Sequence, residues 1–226
     1  MLKGIDISNW QGGLDLAALR GVDFAIMKAT EGTGFVDPFC DPWVRQAESL
    51  GMLWGFYHFA GNAPAEEEAR FFIENTRNYF GHGIPVLDWE TGQSVEWVNE
   101  FVRTVHSETG VWPWVYANPW RFNQGGVEPN CGRWIASYPD VLKPDLDYDP
   151  GEVPETDGLV VCWQYASDGQ VGGYSGNLDV NHYFGSRESW ARYAKAVSGN
   201  DDDDDVSGGN AQVLENEEYR VTIERR

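Results

Sequence analysis

The first half of the chain repeats one unit, a short apolar run followed by a longer segment with helical spacing. The runs are residues 4–8 (GIDIS), 24–29 (FAIMKA), 53–60 (LWGFYHFA), 83–90 (GIPVLDWE) and 113–118 (PWVYAN). Near-continuous apolar character in the second suits a strand covered on both faces, as in a parallel sheet. Helical spacing predicts helices over residues 14–21, 37–51, 64–81 and 94–110. In the last, Val95, Val98, Val102 and Val105 recur three or four apart. Repeated strand–helix units argue for parallel pairing, since parallel neighbours need a crossover.

The rhythm changes after residue 118. Three more apolar runs follow at 133–138, 159–165 and 176–181, and the loops between them, such as 139–158, are too rich in Pro, Gly and Asp for a full helix. Eight candidate strands, with full helical crossovers only in the first half, predict an α/β fold. The form expected is a closed, modified TIM-like barrel with a helix-poor second half. An open doubly wound sheet is the structural alternative. No G-x-G-x-x-G or G-x-x-x-x-G-K-[ST] run follows a strand, so a nucleotide cofactor has no support.

At 226 residues the chain fits one domain plus a tail. Residues 1–198 form the expected domain. Residues 199–210, with five consecutive Asp, read as an acidic flexible linker. Residues 211–226 alternate weakly around Tyr219, Val221 and Ile223, as one strand or the start of a further module. A net charge of −20 argues against a nucleic-acid partner and against attraction to anionic membranes. No apolar stretch reaches the length of a membrane span. The opening MLKGIDISNWQGG has no apolar signal-peptide core. Cys40, Cys131 and Cys162 are scattered, which makes free thiols the default and leaves a single disulfide open. His58, His82, His106 and His182 are too dispersed to suggest a metal site. The 11 Trp, 10 Tyr and 11 Phe serve either as large core side chains or as stacking platforms in a groove.

Asp88 and Glu90 end the fourth run with Trp89 between them. Side chains i and i+2 of a strand share a side, about 6 to 7 Å apart, so both acids can face one cavity. Two carboxylates flanking one bond, one protonated and one charged, is what a glycosidase requires. The bland alternative for any D-x-E in an acidic chain is solvated surface. In a closed barrel the first and eighth strands are neighbours, which brings Asp6 and Asp179 to the same pocket as Asp88 and Glu90. Tyr57, Tyr116, Trp134 and Gln164 are candidates for its wall, and crowded carboxylates raise one another's pKa. Asp6 also has a plainer role open to it, as a hydrogen-bonding residue at the core edge. Trp10, in the turn after the first strand, and Trp89 are further candidates for substrate contact. The run Glu66, Glu67, Glu68 reads as helix-end electrostatics plus solvation.

Seven stretches together resemble one known family. They are G-I-D-I-S-x-W-Q-G at 4–12, F-A-I-M-K-A-T-E-G at 24–32, G-F-Y-H-F at 55–59, P-V-L-D-W-E at 85–90, Y-A-N at 116–118, C-W-Q-Y at 162–165 and N-L-D-V-N at 177–181. In this order they resemble the glycoside hydrolase family 25 lysozymes, the Chalaropsis-type muramidases. The resemblance implies a modified barrel of eight strands and about five helices. It also implies hydrolysis of the β-1,4 bond between N-acetylmuramic acid and N-acetylglucosamine in bacterial peptidoglycan, with no cofactor or metal. By the same resemblance Glu90 is the general acid, Asp88 its partner carboxylate, and Asp6 and Asp179 the further acids of the pocket. Tyr57 and Tyr116 fall on substrate-contacting positions, and Glu31 on an acid near the mouth. A phage endolysin is the implied setting: made in the host cytoplasm, released to the wall through a holin, monomeric, with a wall-binding module downstream. A secreted or wall-associated bacterial autolysin is the rival. A wall-binding module without turnover is the non-enzymatic alternative. A carbohydrate deacetylase or esterase would want His ligands or a Ser–His pair, and none lies at these strand ends.

Overall fold

The computed structural model describes residues 1–196. The linker 199–210, the tail 211–226 and the last two residues of the expected 1–198 domain lie outside the described residues. Nine strands make one sheet: β1 (Leu2–Ile7), β2 (Phe24–Glu31), β3 (Phe35–Val36), β4 (Leu53–Phe59), β5 (Ile84–Asp88), β6 (Trp114–Ala117), β7 (Arg133–Ala136), β8 (Val160–Gly169) and β9 (Leu178–Tyr183). The order is β1-β9-β8-β7-β6-β5-β4-β2-β3, and pairing of β1 with β2 closes it into a barrel. The two-residue β3 is a hairpin extension of β2, so eight strands form the wall.

Pairing is parallel from β1 through β2, β4, β5, β6 and β7 to β8, as the crossovers require. The departure is β9, which runs antiparallel to both β1 and β8. The segment joining β8 to β9 is too short for a crossover, and a short connection can join only antiparallel neighbours.

Helices α1 (Cys40–Leu50), α2 (Ala65–Thr76) and α3 (Val95–Thr109) follow β3, β4 and β5. Gly51 and Gly110 end α1 and α3 in the left-handed region, at φ 63° and 75°, where glycine carries no Cβ penalty. Ser94 caps α3 by accepting from the Trp97 N–H. The helix expected over 14–21 is only a 3-10 turn at Leu16–Ala18, capped by Asp15. It contributes one fully apolar anchor, Leu16, too little buried surface for a longer helix. The second half holds only the single-turn α4 (Pro119–Phe122) and α5 (Arg187–Tyr193), so its helix-poor character stands.

Where helices are missing, the buried Arg133 organises the loops. Its guanidinium donates to the carbonyls of Asp157 (3.1 Å), Glu128 (3.0 Å), Cys131 (2.5 Å) and Val127 (3.0 Å). One side chain satisfies four loop carbonyls, three of them in buried hydrogen bonds.

The hydrophobic core has two parts. Outside the barrel, Ile5, Met27, Phe56, Leu87 and Val115 pack with Val44, Phe72 and Phe101 of the covering helices. Inside, Phe24, Ile26, Ile84, Val86 and Trp114 meet Trp190 of α5. Trp190 is a plug: its ring lies 4.8 Å from Phe24, 5.1 Å from Tyr183 and 5.4 Å from Trp114, and its indole N–H donates to Trp54 O at 3.1 Å. Cys40, Cys131 and Cys162 are free and buried. Trp190→Ala empties the barrel's apolar end and is expected to cost about 3–5 kcal/mol. Urea unfolding checks this, and a loss below about 1 kcal/mol would mean that α5 does not unfold with the barrel.

Candidate active site

The strand pleat turns alternate side chains into the barrel. On β2, β5 and β6 these inward rows are apolar at the α5 end and polar at the other. Phe24 and Ile26 lead to Lys28, Ile84 and Val86 to Asp88, and Trp114 to Tyr116. The polar ends gather at the carboxyl-terminal mouth of the parallel strands, where such barrels place their chemistry. Asp179 arrives differently. Because β9 is reversed, its beginning lies at this mouth, and Asp179 stands in register opposite Asp6 of β1.

Asp6 is buried and its Oδ2 accepts from Gln164 Nε2 (2.9 Å) and Asn181 Nδ2 (2.7 Å). Each amide is oriented by a further donor. Gln164 Oε1 accepts from the hydroxyls of Tyr116 (2.7 Å) and Tyr138 (2.5 Å), and Asn181 Oδ1 accepts from Trp134 Nε1 (2.8 Å). Oxygen pinned in this way leaves each NH2 group facing Asp6. Asp179 completes the arrangement with a side-chain hydrogen bond to Asp6. Two carboxyl groups can bond only if one keeps its proton, and Asp179 is the one that does. Burial first, then the Asp6 charge, pushes its carboxyl up to about 9. Asp6, raised by burial but bonded by its amide donors, rises only to about 6.

Asp88 ends β5 and is buried, with its Oδ1 lacking any hydrogen-bond partner. Burial raises its carboxyl well above the usual range, and the charges of Glu90 and Asp6 add to the rise. Lys28 is the opposing cation. It is held at 2.5 Å by Glu31 and lies 4.9 Å from the Phe59 ring. Glu90 lies just past the strand end, exposed at the rim, with its carboxyl raised by partial burial against the lowering charge of Arg121. Arg121 also fixes the backbone there, donating to Glu90 O (2.9 Å) and Thr91 O (2.6 Å) with its guanidinium 5.0 Å from the Trp89 ring. Tyr57 is half-buried in the same mouth, and burial followed by the charges of Asp88, Asp6 and Asp179 keeps its phenol neutral.

The four acids singled out in the sequence therefore act electrically on one another in one mouth. Tyr57, Tyr116, Trp134 and Gln164 line it, the last three buried in its floor. Glu31 is exposed beside Lys28, and Trp10 stands 83% exposed on the turn after β1. Trp89 is placed elsewhere: it is buried in the outer core, its indole N–H donating to Gln93 O at 2.9 Å. Glu68 corrects the expectation of a solvated glutamate run. It is fully buried and bonded to His58, whereas Glu66 and Glu67 are exposed. Asn181, Tyr138 and Arg121 were not anticipated. Asn181 had a signal, two residues after Asp179 on the same strand face. Tyr138 closes the apolar run at 133–138, two residues past the end of β7 and in step with Trp134 and Ala136, whereas Arg121 sits on a single helical turn that no pattern marks.

Comparison with known proteins identifies the family. The model of glycosyl hydrolases family 25 matches residues 5–174. Lysozyme M1 of Streptomyces globisporus is 30% identical over 209 residues, covering 82% of this chain and 68% of that protein. The autolytic lysozyme of Clostridium acetobutylicum is also 30% identical, over 80% of this chain but only 56% of its own length. Among solved structures, the bacterial lysozyme of Streptomyces coelicolor superposes with a TM-score of 0.71 at 28% identity, covering 85% of this chain and 96% of that one. With residues 5–174 matched by the family model, the chain belongs to glycosyl hydrolases family 25 and is a glycoside hydrolase of the muramidase type.

Proposed function

We propose that this enzyme cleaves the β-1,4 bond between N-acetylmuramic acid and N-acetylglucosamine in peptidoglycan, with Glu90 as general acid and Asp88 as partner carboxylate. The observation that carries the proposal is the gathering of Asp6, Asp88, Glu90 and Asp179 at one barrel mouth, where each that is shifted is shifted upward. Partial burial raises the Glu90 carboxyl and so biases it toward the protonated form that a general acid must present to a leaving group. Glu90 suits this task because it stands at the rim, where a glycosidic oxygen can reach it.

The Glu90 proton passes to the glycosidic oxygen as the bond from that oxygen to the anomeric carbon breaks, and positive charge develops at that carbon. Asp88 lies beneath, its Oδ1 unpaired in a dry site. A developing cation, or the N–H of an N-acetyl group whose carbonyl attacks the anomeric carbon, supplies the partner that oxygen lacks. Water then adds at the anomeric carbon, and its proton returns to Glu90. Asp6 and Asp179 share one proton and keep the wall of the pocket at a single negative charge. Relatives named lysozyme and N,O-diacetylmuramidase support the substrate class. The place of action is the bacterial wall, reached from inside a phage-infected host or by secretion.

Two measurements test these roles. Glu90→Gln is expected to lower release of new reducing ends from purified peptidoglycan by at least about a thousandfold with the fold intact. Mass analysis of wild-type products should find muramic acid at the new end; wild-type rates in the variant, or N-acetylglucosamine at that end, would overturn the assignment. The second concerns Asp179. Its folded carboxyl is raised from 3.8 to about 9, so the folded state holds a proton that the unfolded state has lost. That contribution to stability is complete below about pH 4 and is lost as pH rises through 9. Asp179→Asn keeps a donor toward Asp6 but cannot ionise. Between pH 6 and 9 the wild type should therefore lose thermal stability relative to the variant. Parallel Tm curves across that range would show that Asp179 does not hold the proton.

A further inference from the structure

A second polar cluster lies on the outer face of the barrel, sealed beneath α2 and α3. Thr30, His58 and Glu68 are all fully buried, and the imidazole is flanked by Phe72 at 5.6 Å and Phe101 at 5.0 Å. A register shift between Lys28 and Thr30 in β2 brings Thr30 opposite His58 of β4. Burial holds the imidazole neutral. The Glu68 carboxylate can only accept, so His58 Nε2–H donates to its Oε2 (3.0 Å) and His58 Nδ1 accepts from the Thr30 hydroxyl (2.8 Å).

Glu68 has two more donors, and they lead to the site. The Gly61 N–H reaches Oε2 at 2.7 Å and the Ala63 N–H reaches Oε1 at 2.8 Å. Both amides belong to loop 60–63, which leaves β4 at the barrel mouth. A Cβ at Gly61 would come within 2.8 Å of Glu68 Oε1 and of Gly32 Cα, so the loop is drawn in as close as a glycine permits. The carbonyls of this loop then hold the segment that follows β5. Ala60 O accepts from Thr91 Oγ1 (3.2 Å), Gly61 O from Gln93 Nε2, and Ala63 O from Trp97 Nε1 (2.9 Å). Glu90 is the start of that segment, and Arg121 grips it from the other side.

We infer that Glu68, braced by His58 and Thr30, is a positioning residue for Glu90, acting through loop 60–63 and the Thr91–Gln93 contacts. The inference rests on the proposal that Glu90 is the acid. Catalytic groups lose effect steeply with small displacements, by as much as a hundredfold for about 1 Å. Glu68→Gln is the sharpest probe, because its NH2 group must face one of three donors and repel it.

The experiment uses the full chain and two readouts. Hydrogen–deuterium exchange, which needs no activity, should speed up at least about tenfold over residues 89–97 as well as 60–63 in Glu68→Gln. Turnover should fall about tenfold in Glu68→Gln and about fivefold in Gln93→Ala, with KM changed less than about twofold. The double variant should be no worse than Glu68→Gln alone, since both substitutions cut one path. A merely structural Glu68 would lower Tm yet leave exchange over 89–97 and kcat per folded molecule at wild-type values, and that result overturns the inference. So does a double variant whose loss is the product of the two. If Glu68→Gln does not fold, Gln93→Ala alone must show both the faster exchange over 89–97 and the lower kcat; wild-type values there overturn it too. Full activity in Glu90→Gln together with faster exchange over 89–97 would instead strike the assignment of the acid and leave the mechanical coupling standing.

Discussion

Asp6 and Asp179 meet side by side where β1 joins β9, in a mouth that already contains Asp88 and Glu90. Two bare carboxylates at that spacing would push the barrel's closing strands apart, and the low dielectric would make the repulsion severe. One shared proton turns the repulsion into a hydrogen bond. Gln164 and Asn181 then supply the donors that hold the remaining charge, and Tyr116, Tyr138 and Trp134 hold those amides in turn. Barrel closure and the electrical state of the pocket therefore depend on the same contact.

The strands serve two polar systems without mixing them. Tyr57 points into the acid mouth, while His58, its neighbour on β4, points out toward Glu68 and α2. Strict alternation allows this, because one residue of backbone separates the two faces. Inside, charge is kept partly uncompensated, and Asp88 has an oxygen without a partner. Outside, each oxygen of Glu68 finds a donor and His58 stays neutral. The unpartnered carboxylate oxygen is thus kept at the inner mouth, and the satisfied carboxylate on the outer face.

The sequence was most legible where period and chemistry coincided. Apolar runs with helical segments between them gave the strand count and the first-half crossovers. Acids at strand ends gave Asp6, Asp88, Glu90 and Asp179. What it hid falls into two kinds. The reversal of β9 depends on a connection length that follows from where β8 ends, and β8 runs four residues beyond its expected end at 165, to Gly169. Glu68 looked like Glu66 and Glu67 because helix-end preference favours acids at all three positions, whereas burial is decided by which of them faces His58. Arg133 posed the same difficulty: a charged residue opening a strand run gives no hint that four backbone carbonyls converge on it.

The missing helices of the second half bear on what the mouth can accept. Where α1, α2 and α3 cover the first half, their connections to the strands are pinned, as loop 60–63 is by Glu68. After β6 and β7 the chain instead presents Trp120, 70% exposed, and Tyr138, 53% exposed, with Trp10 across the mouth after β1. Exposed aromatic faces are poor choices for solubility but suit the apolar faces of sugar rings. Tyr138 links the two demands, since the hydroxyl that orients Gln164 toward Asp6 belongs to a ring left open to solvent. One residue thus belongs both to the open rim and, through Gln164, to the hydrogen-bond chain that ends on Asp6.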